Sequence, residues 1–290
     1  MLACSFAGAR PPFLQVESWA YQLTGYNNEA LDRLAAADVD LLVIDLSIDG
    51  SDTDFTPDQL AKLRGDRGKW LLAYFEIGAI EEYRPEWDET PRELMAGPVD
   101  GWPSEQYVRY WDERWWPVVC GRIDRAIDNG FDGAYLDMLT TYEEIPDSGL
   151  TSEQRAERMV DLVRRLTRYA RRRAPDFKVI AQNCPELANW AFWEPRVNQP
   201  YLTAIDGVAI ESPFYLPHDE LCKESWCEEN RTNALAIKSR GKLLLGVDYV
   251  TQEDTRRDSI SRQSKAGFVP LTARRALDQT LLPEDGAAGE

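Results

Sequence analysis

The segment GFDGAYLD at residues 130–137 is a short, largely apolar run that ends on an acid, Asp137. Seven further short apolar runs recur along the chain, separated by loops and by stretches with helical periodicity. The eight runs cover residues 16–22, 40–46, 70–76, 133–137, 178–182, 205–211, 242–248 and, most weakly, 267–271. This alternation predicts a parallel sheet, and eight strands favour a closed (β/α)₈ TIM barrel over an open doubly wound sheet.

Two helix starts carry capping boxes. Thr56 and Gln59 have the required spacing with Pro57 at the first helical position, and Thr151 and Gln154 repeat it. After Thr151, apolar residues recur on one face and arginines lie mainly elsewhere, which predicts a helix on the barrel exterior with a solvated basic face.

An excursion of about 35 residues follows the third run, and it is too long for an ordinary βα loop. We expect it to have a functional role. Its aromatic side chains either stack on sugar faces or attach the long loop to the protein body, and we expect a mixture of the two roles. These side chains are Trp87, Trp102, Tyr107, Tyr110 and Trp111.

The composition favours one acidic domain. No linker divides the 290 residues, so we predict a barrel domain at residues 13–278 between tails at 1–12 and 279–290. The net charge of −17 argues against nucleic acid as a partner. It suits a neutral or cationic substrate, although it equally suits a secreted protein that needs only solubility. No apolar run is long enough to span a membrane.

The cysteines and the N-terminus bear on localisation. Leu2-Ala3-Cys4 resembles the end of a bacterial lipoprotein signal, so we expect a secreted or cell-surface protein with a possible lipid anchor at Cys4. Cys222 and Cys227 are close enough in sequence to form a disulfide, or they are two unrelated thiols. With a single histidine, His218, and no CxxC pair, the sequence predicts neither a metal site nor a cofactor.

Acids stand at the downstream ends of five runs: Asp45, Glu76, Asp137, Glu211 and Asp248. In a barrel of this kind such side chains converge on one face, where active sites are built. Converging acids favour paired-carboxylate chemistry of the kind that hydrolyses glycosides, and a hard-cation site is the alternative. A Schiff-base lysine is disfavoured because the strand-associated lysines stand at strand starts, on the opposite face; they are Lys69, Lys178 and Lys242.

Motifs spread over about residues 14–278 carry a resemblance to one family. They are WAYQL (19–23), AYF (73–75) with Gly78, EYR (82–84), Trp87, RYWD (109–112) with Trp115, GFDGAYLD (130–137), AQN (181–183), DGV (206–208) through Glu211, VDY (247–249) and GFVP (267–270). Together they resemble glycoside hydrolase family 114, the endo-α-1,4-polygalactosaminidase-like barrels, and especially its bacterial and archaeal branch.

The resemblance implies that Asp137 is the nucleophile and Glu211 the general acid/base of a retaining reaction. Retention requires carboxyl groups about 5–5.5 Å apart, and inversion about 6.5–9.5 Å. Structural roles remain open, since Asp137 could cap the following helix and Glu211 could pair with an arginine.

Further positions are implied to line the same mouth as substrate-binding or supporting groups. They are Gln22, Asp45, Tyr74, Asn183, Asp248 and Tyr249. Glu76 departs from the small residue usual in this branch, so it either alters a substrate-binding subsite or pairs with Arg84.

The resemblance therefore predicts an endo-acting hydrolase of α-linked, galactosamine-rich polysaccharide. Two alternatives stay open: a non-catalytic carbohydrate-binding barrel, and a hydrolase of neutral α-galactosides that uses the same two carboxylates.

Overall fold

A computed structural model describes residues 10–146, 148–188 and 200–280. Eight parallel strands form one sheet in chain order, which confirms the predicted barrel. The barrel is nearly closed: the last strand lies beside the first, where the Trp19 indole donates to the Val269 carbonyl at 3.1 Å. The strands are β1 (Trp19–Gln22), β2 (Leu41–Asp45), β3 (Trp70–Glu76), β4 (Gly133–Asp137), β5 (Lys178–Gln182), β6 (Gly207–Glu211), β7 (Leu243–Asp248) and β8 (Val269–Thr272).

Helices surround the barrel. They are α1 (Asn28–Ala36), α2 (Pro57–Arg64), α3 (Trp116–Asn129), α4 (Thr141–Glu144), α5 (Ser152–Arg173), α6 (Pro200–Ala204), α7 (Ser225–Lys238) and α8 (Glu253–Ala266). Both predicted capping boxes are present, at Thr56 before α2 and Thr151 before α5. The apolar face of α5 is buried as expected. Its arginines are exposed or half-buried, and several also bind acids of neighbouring segments, as Arg173 does with Asp124 and Asp128 of α3.

Alternation along the strands creates two cores. Side chains of one parity fill the barrel interior, where the rings of Trp19, Tyr21, Tyr74 and Tyr135 pack together with aliphatic side chains. Side chains of the other parity pack between the sheet and the helices. The interior is thus a packed core that supports the mouth of the barrel from below.

The excursion after β3 is not a plain loop, as the sequence suggested, but a three-stranded antiparallel sheet. Its strands are Ala79–Glu81, Met95–Val99 and Trp102–Val108, with the last in the middle. The Val108 amide donates to the Gly78 carbonyl at 2.9 Å, which fixes this sheet at the downstream end of β3. We call it the excursion sheet.

At the opposite end of the barrel, three aspartates repeat one contact. Asp40, Asp132 and Asp206 stand directly before β2, β4 and β6. Each carboxylate accepts a backbone N–H from the start of the preceding strand: Ser18 at 3.2 Å, Leu71 at 2.9 Å and Val179 at 2.8 Å. β2 and β6 begin one and two residues later than the apolar runs suggested, at Leu41 and Gly207.

Other expectations from the sequence have definite outcomes. Cys222 and Cys227 form a disulfide. No helix in the described ranges is long and apolar enough to cross a membrane. Cys4 and most of both tails lie outside the described residues, so the domain boundaries stay a prediction.

Replacing Asp206 by alanine should destabilise the barrel by about 1.5–3 kcal/mol, because the Val179 amide and the Arg171 guanidinium both lose a charged acceptor. The measurement is the free energy of unfolding in urea. Asp161→Ala is the control, since Asp161 is half exposed and, among the described contacts, forms an ion pair with Arg164 at 3.4 Å. Equal unfolding midpoints for the two variants would contradict this role for Asp206.

Candidate active site

A cavity of about 620 Å³ opens between the downstream ends of the strands and the excursion sheet. Alternate side chains of β2, β4 and β6 face the barrel interior, and the last of these on each strand, Asp45, Asp137 and Glu211, line the cavity. Eight of its lining side chains carry carboxyl groups, and Arg275 is the one cationic side chain among the described residues that line it. The cavity is therefore strongly acidic.

Asp137 ends β4 and is held by two short hydrogen bonds. The Tyr74 hydroxyl donates to one carboxyl oxygen at 2.6 Å, and the Met138 backbone N–H donates to the other at 2.6 Å. Both donors favour the ionised carboxylate. Asp137 thus has a fixed orientation while remaining partly exposed to the cavity.

Glu211 ends β6 and is held by groups from the two adjacent strands. The side-chain amide of Asn183 donates to Oε2 at 2.8 Å, and the Tyr249 hydroxyl donates to Oε1. The Asn183 carbonyl oxygen in turn accepts the Glu211 backbone N–H at 3.0 Å. Within residues 10–146, 148–188 and 200–280 this carboxyl is bound by neutral donors, and no arginine there pairs with it.

Asp137 and Glu211 interact electrostatically. Burial, followed by the negative charge of Glu211, raises the pKa of Asp137 to about 7, although Tyr74 and Met138 lower it. Asp137 therefore keeps a proton up to about neutral pH, and it shares the cavity with a second carboxyl group. Two strand-end carboxyl groups in one cavity suit the acid and nucleophile roles of glycoside cleavage.

The backbone turns sharply after each strand that supplies this pair. Met138, Asn183 and Ser212 directly follow β4, β5 and β6, and all three adopt left-handed conformations, with φ of 58°, 60° and 52°. Non-glycine residues rarely adopt this region, and it is frequent at functional sites. These turns lead the chain away from the mouth and leave the strand-end side chains facing the cavity.

Below the excursion sheet, Arg84 binds three carboxyl groups. Its two terminal nitrogens each lie 2.9 Å from an oxygen of Asp45, one of them also lies 2.7 Å from Glu76, and Nε lies 3.0 Å from Glu81. Arg122 of α3 adds a contact to Glu76 at 3.2 Å. Burial opposes ionisation of Glu76, but the two guanidiniums outweigh it and lower its pKa to about 2.

Two guanidiniums cannot neutralise all the acids around them. Burial and the neighbouring Glu76 raise the pKa of Glu81 to about 10. Burial, Glu76 and Asp137 raise the pKa of Glu105 to about 9. At neutral pH both residues of the excursion sheet are therefore uncharged carboxylic acids.

Of the residues that the sequence assigned to the mouth, four besides the catalytic candidates line the cavity. They are Asp45, Tyr74, Asn183 and Tyr249. Asp45 has both carboxyl oxygens bound by Arg84, so it shapes the cavity wall more than it offers a free acceptor.

Three residues that were predicted to contribute to substrate binding do not line the cavity. They are Gln22, Glu76 and Asp248. Gln22 and Asp248 have the outward parity of β1 and β7, because Tyr21 and Val247 occupy the inward positions. Asp248 instead accepts hydrogen bonds from backbone and side chains of other segments, including Ser259 at 2.6 Å, and Gln22 binds Thr280.

Glu76 has the inward parity but is completely buried between Arg84 and Arg122. The pairing with Arg84, which the sequence left as one of two possibilities, is the one found.

Glu81, Glu105 and Arg122 belong to this region but were not predicted from the sequence. Arg122 lies on the otherwise apolar face of α3, and a lone arginine within a buried stripe indicates a buried ion pair. Glu105 and Tyr107 stand two positions apart in a segment whose pattern predicts a strand, so both side chains are expected on the same, inward face. This pattern could have identified Glu105.

The aromatic side chains of the excursion differ in exposure, and their stacking on sugar faces stays a prediction. Tyr107 and Tyr110 are buried and donate hydrogen bonds to Glu144 and the Arg155 carbonyl, both at 2.7 Å. Trp102 is 49% exposed at the cavity rim.

Comparisons with known proteins agree on one family. The model of glycoside-hydrolase family GH114 matches residues 4–288. An uncharacterized protein of Thermotoga maritima is 30% identical over 92% of this chain and 83% of its own length, and the uncharacterized protein MJ1477 of Methanocaldococcus jannaschii is 30% identical over 90% and 77%.

Two solved structures share the fold. Ega3 of Aspergillus fumigatus, in complex with galactosamine, has a TM-score of 0.71 at 16% identity, covering 94% of this chain and 96% of that one. The glycoside hydrolase domain of PelA from Pseudomonas aeruginosa has a TM-score of 0.72 at 16% identity, covering 92% and 98%.

Replacing Arg84 by methionine should destabilise the protein by about 3–5 kcal/mol at pH 7, because buried Asp45 and Glu76 lose their main partner. In the wild type, the lowered pKa of Glu76 contributes stability above its unfolded value, which is lost as the pH falls toward 2. In the variant the unpaired carboxyls protonate more readily, so its deficit in unfolding free energy should shrink between pH 7 and pH 5.

Urea unfolding at the two pH values measures this. Arg114→Met is the control, since Arg114 is exposed and bound to Asp112 alone among the described contacts. An Arg84→Met deficit that is as small as the control's, or that does not change with pH, would contradict the proposed charge balance.

Replacing Glu211 by glutamine should lower the pKa of Asp137 below 7, because the negative charge of Glu211 is removed while burial remains. Carboxyl ¹³C NMR titration measures the shift, with the Asp137 signal assigned by its loss in Asp137→Asn. Glu220→Gln, at an exposed position away from the cavity, should leave the titration unchanged. An unchanged Asp137 titration in Glu211→Gln would show that the two carboxyls do not act as a pair.

Proposed function

We propose, for a chain that belongs to glycoside hydrolase family GH114, that Asp137 and Glu211 cleave α-linked, galactosamine-rich polysaccharide by an endo-acting, retaining reaction. The chain is a glycoside hydrolase with a carbohydrate substrate. The observation that carries the finer assignment is the pair itself: two strand-end carboxyls, each held by its own donors, interact across one acidic cavity.

The proposed reaction has two steps. In the first, the carboxyl of Glu211 gives its proton to the glycosidic oxygen while Asp137 attacks the anomeric carbon, so that the leaving chain departs as an alcohol and a glycosyl ester forms on Asp137. In the second, Glu211 takes a proton from water, and the water oxygen displaces Asp137 from the anomeric carbon. Two inversions at that carbon give net retention.

The donors around each acid support these roles. Tyr74 and the Met138 amide stabilise negative charge on Asp137, as a nucleophile that must later leave requires. Asn183 and Tyr249 fix the orientation of Glu211 from both sides. Asp137 attacks as a carboxylate and its pKa is raised to about 7, so activity should decline as the pH falls below about 7 and Asp137 takes up a proton.

The cavity's charge supports a cationic sugar. Glu81 and Glu105 are uncharged, but six other carboxyl groups and one guanidinium stand among its described lining residues, which favours protonated amines over neutral or anionic sugars. Exposed rings at the rim, Tyr83 and Trp102, offer faces on which further sugar units stack, and this supports binding of a chain rather than a single unit. The galactosamine in the Ega3 complex is consistent with such a substrate.

Secretion is part of the proposal. The Cys222–Cys227 disulfide supports an oxidising compartment, where a polysaccharide substrate would be encountered. Attachment to a membrane through a lipid on Cys4 remains a prediction from the sequence.

Asp137→Asn and Glu211→Gln should each lower hydrolysis of partly deacetylated α-1,4-polygalactosamine by at least about 10³-fold, because each removes one of the two essential carboxyls. Mass spectrometry of the products gives fragment lengths, and NMR of the first product gives its anomeric configuration. Asp88→Asn and Glu89→Gln, exposed and outside the cavity, are matched controls that should retain full activity.

Each alternative has its own outcome. Cleavage of neutral α-galactosides with no response to salt would favour a neutral substrate. Binding without cleavage by the wild type would favour a carbohydrate-binding barrel. A β-configured first product would contradict retention, and full activity of either carboxyl variant would remove that residue from the mechanism.

A further inference from the structure

Glu105 of the excursion sheet is an acid that the two-step reaction does not use. It lies in the middle strand of that sheet, directly opposite Glu81 in the register, and it lines the same cavity as Asp137 and Glu211. Only 6% of its surface is exposed. It is therefore a buried group at the wall of the substrate cavity.

One oxygen of this carboxyl has no partner within the described part of the chain. Oε1 of Glu105 is fully buried and makes no hydrogen bond. A buried polar atom left in this state costs about 1–3 kcal/mol, so native structures seldom retain one without a function. An oxygen of this kind at a cavity wall is prepared for a donor that arrives with a ligand.

The charges that face Glu105 come from four segments. Glu76 of β3 and Asp137 of β4 favour the protonated form of its carboxyl. Arg84, which follows the first strand of the excursion sheet, and Arg122 of α3 favour the ionised form. The arginines are already engaged with Asp45, Glu76 and other acids, so burial and the two carboxylates prevail and the pKa is raised to about 9.

We propose that Glu105 is the receptor for the amino group of a sugar unit bound beside the cleavage site, and that it exchanges its own proton for the ammonium group. This inference rests on the proposed function and names which residue selects amine-bearing units. An ammonium group supplies both the positive charge that suits an acidic cavity and the N–H donors that a free carboxyl oxygen needs.

The exchange balances in protons and moves no electrons. The carboxylic acid of Glu105 releases one proton to solvent, and the resulting carboxylate accepts hydrogen bonds from the ammonium group, whose positive charge replaces the proton's. An N-acetylated unit has no charge to offer, so it binds without this exchange. Trp102, which stands three positions earlier on the same strand and is contacted by Arg275, provides an exposed ring at the rim above.

The test is calorimetric binding of an α-1,4-galactosamine pentasaccharide and its fully N-acetylated counterpart at pH 6.5, in two buffers with different ionisation enthalpies. The protein carries Asp137→Asn, which prevents cleavage and removes the other group that titrates near this pH. We expect close to one proton released with the amine ligand and none with the N-acetylated ligand.

Adding Glu105→Gln to this protein should abolish the proton release and reduce the preference for the amine ligand about tenfold or more, while binding of the N-acetylated ligand persists. Glu82→Gln, a neighbouring exposed position outside the cavity, should change neither. Thermal unfolding checks that the variants are folded, and in the enzyme with Asp137 intact the ratio of kcat/KM for the two polymers gives a second, independent measure of preference.

Unchanged proton release and an unchanged preference in Glu105→Gln would overturn the inference and leave the proposed function intact, provided that the wild type cleaves the polymer. A wild type that neither binds nor cleaves either ligand would overturn both.

Discussion

Arg84 binds Asp45 of β2, Glu76 of β3 and Glu81 of the excursion sheet, and the rest of the mouth depends on this contact. The guanidinium lies below the cavity with almost no exposure, and its charge stabilises the buried carboxylates of Asp45 and Glu76, whereas Glu81 is an uncharged acid. By joining three segments it fixes the position of the excursion sheet over the barrel. It also determines which acids of the region are ionised and which must keep a proton.

The acids that Arg84 does not reach are the ones available for chemistry. Among the described residues, Asp137 and Glu211 are held by neutral donors, and burial together with the charge of Glu211 raises the pKa of Asp137 to about 7. Glu105 keeps its proton because burial and the carboxylates of Glu76 and Asp137 outweigh the nearby guanidiniums, which are already occupied. One shortage of cationic partners thus explains both a pair suited to cleaving glycosides and a neutral acid at the cavity wall.

The sequence predicted the barrel correctly because eight apolar runs with helical stretches between them are a strong, repeated signal. It also placed Asp137 and Glu211 on one mouth, since both end a strand. The prediction that Gln22 and Asp248 line the mouth was wrong, because a position at the end of a strand does not say whether the side chain faces the barrel interior or the helices. The sequence also did not predict features that depend on tertiary contacts. These are the contacts of Glu76 with two arginines, the folding of the excursion into a sheet, and the left-handed turns after β4, β5 and β6.

The central claim is that Asp137 becomes covalently glycosylated during turnover. The most direct measurement is mass spectrometry of the protein after reaction with a fluorinated, activated galactosaminyl donor that forms the glycosyl ester quickly and hydrolyses it slowly. We predict one added glycosyl unit per chain, located by peptide mapping on Asp137 and absent from Asp137→Asn. An adduct on another residue, or steady turnover of the donor with an inverted product and no adduct, would contradict the account.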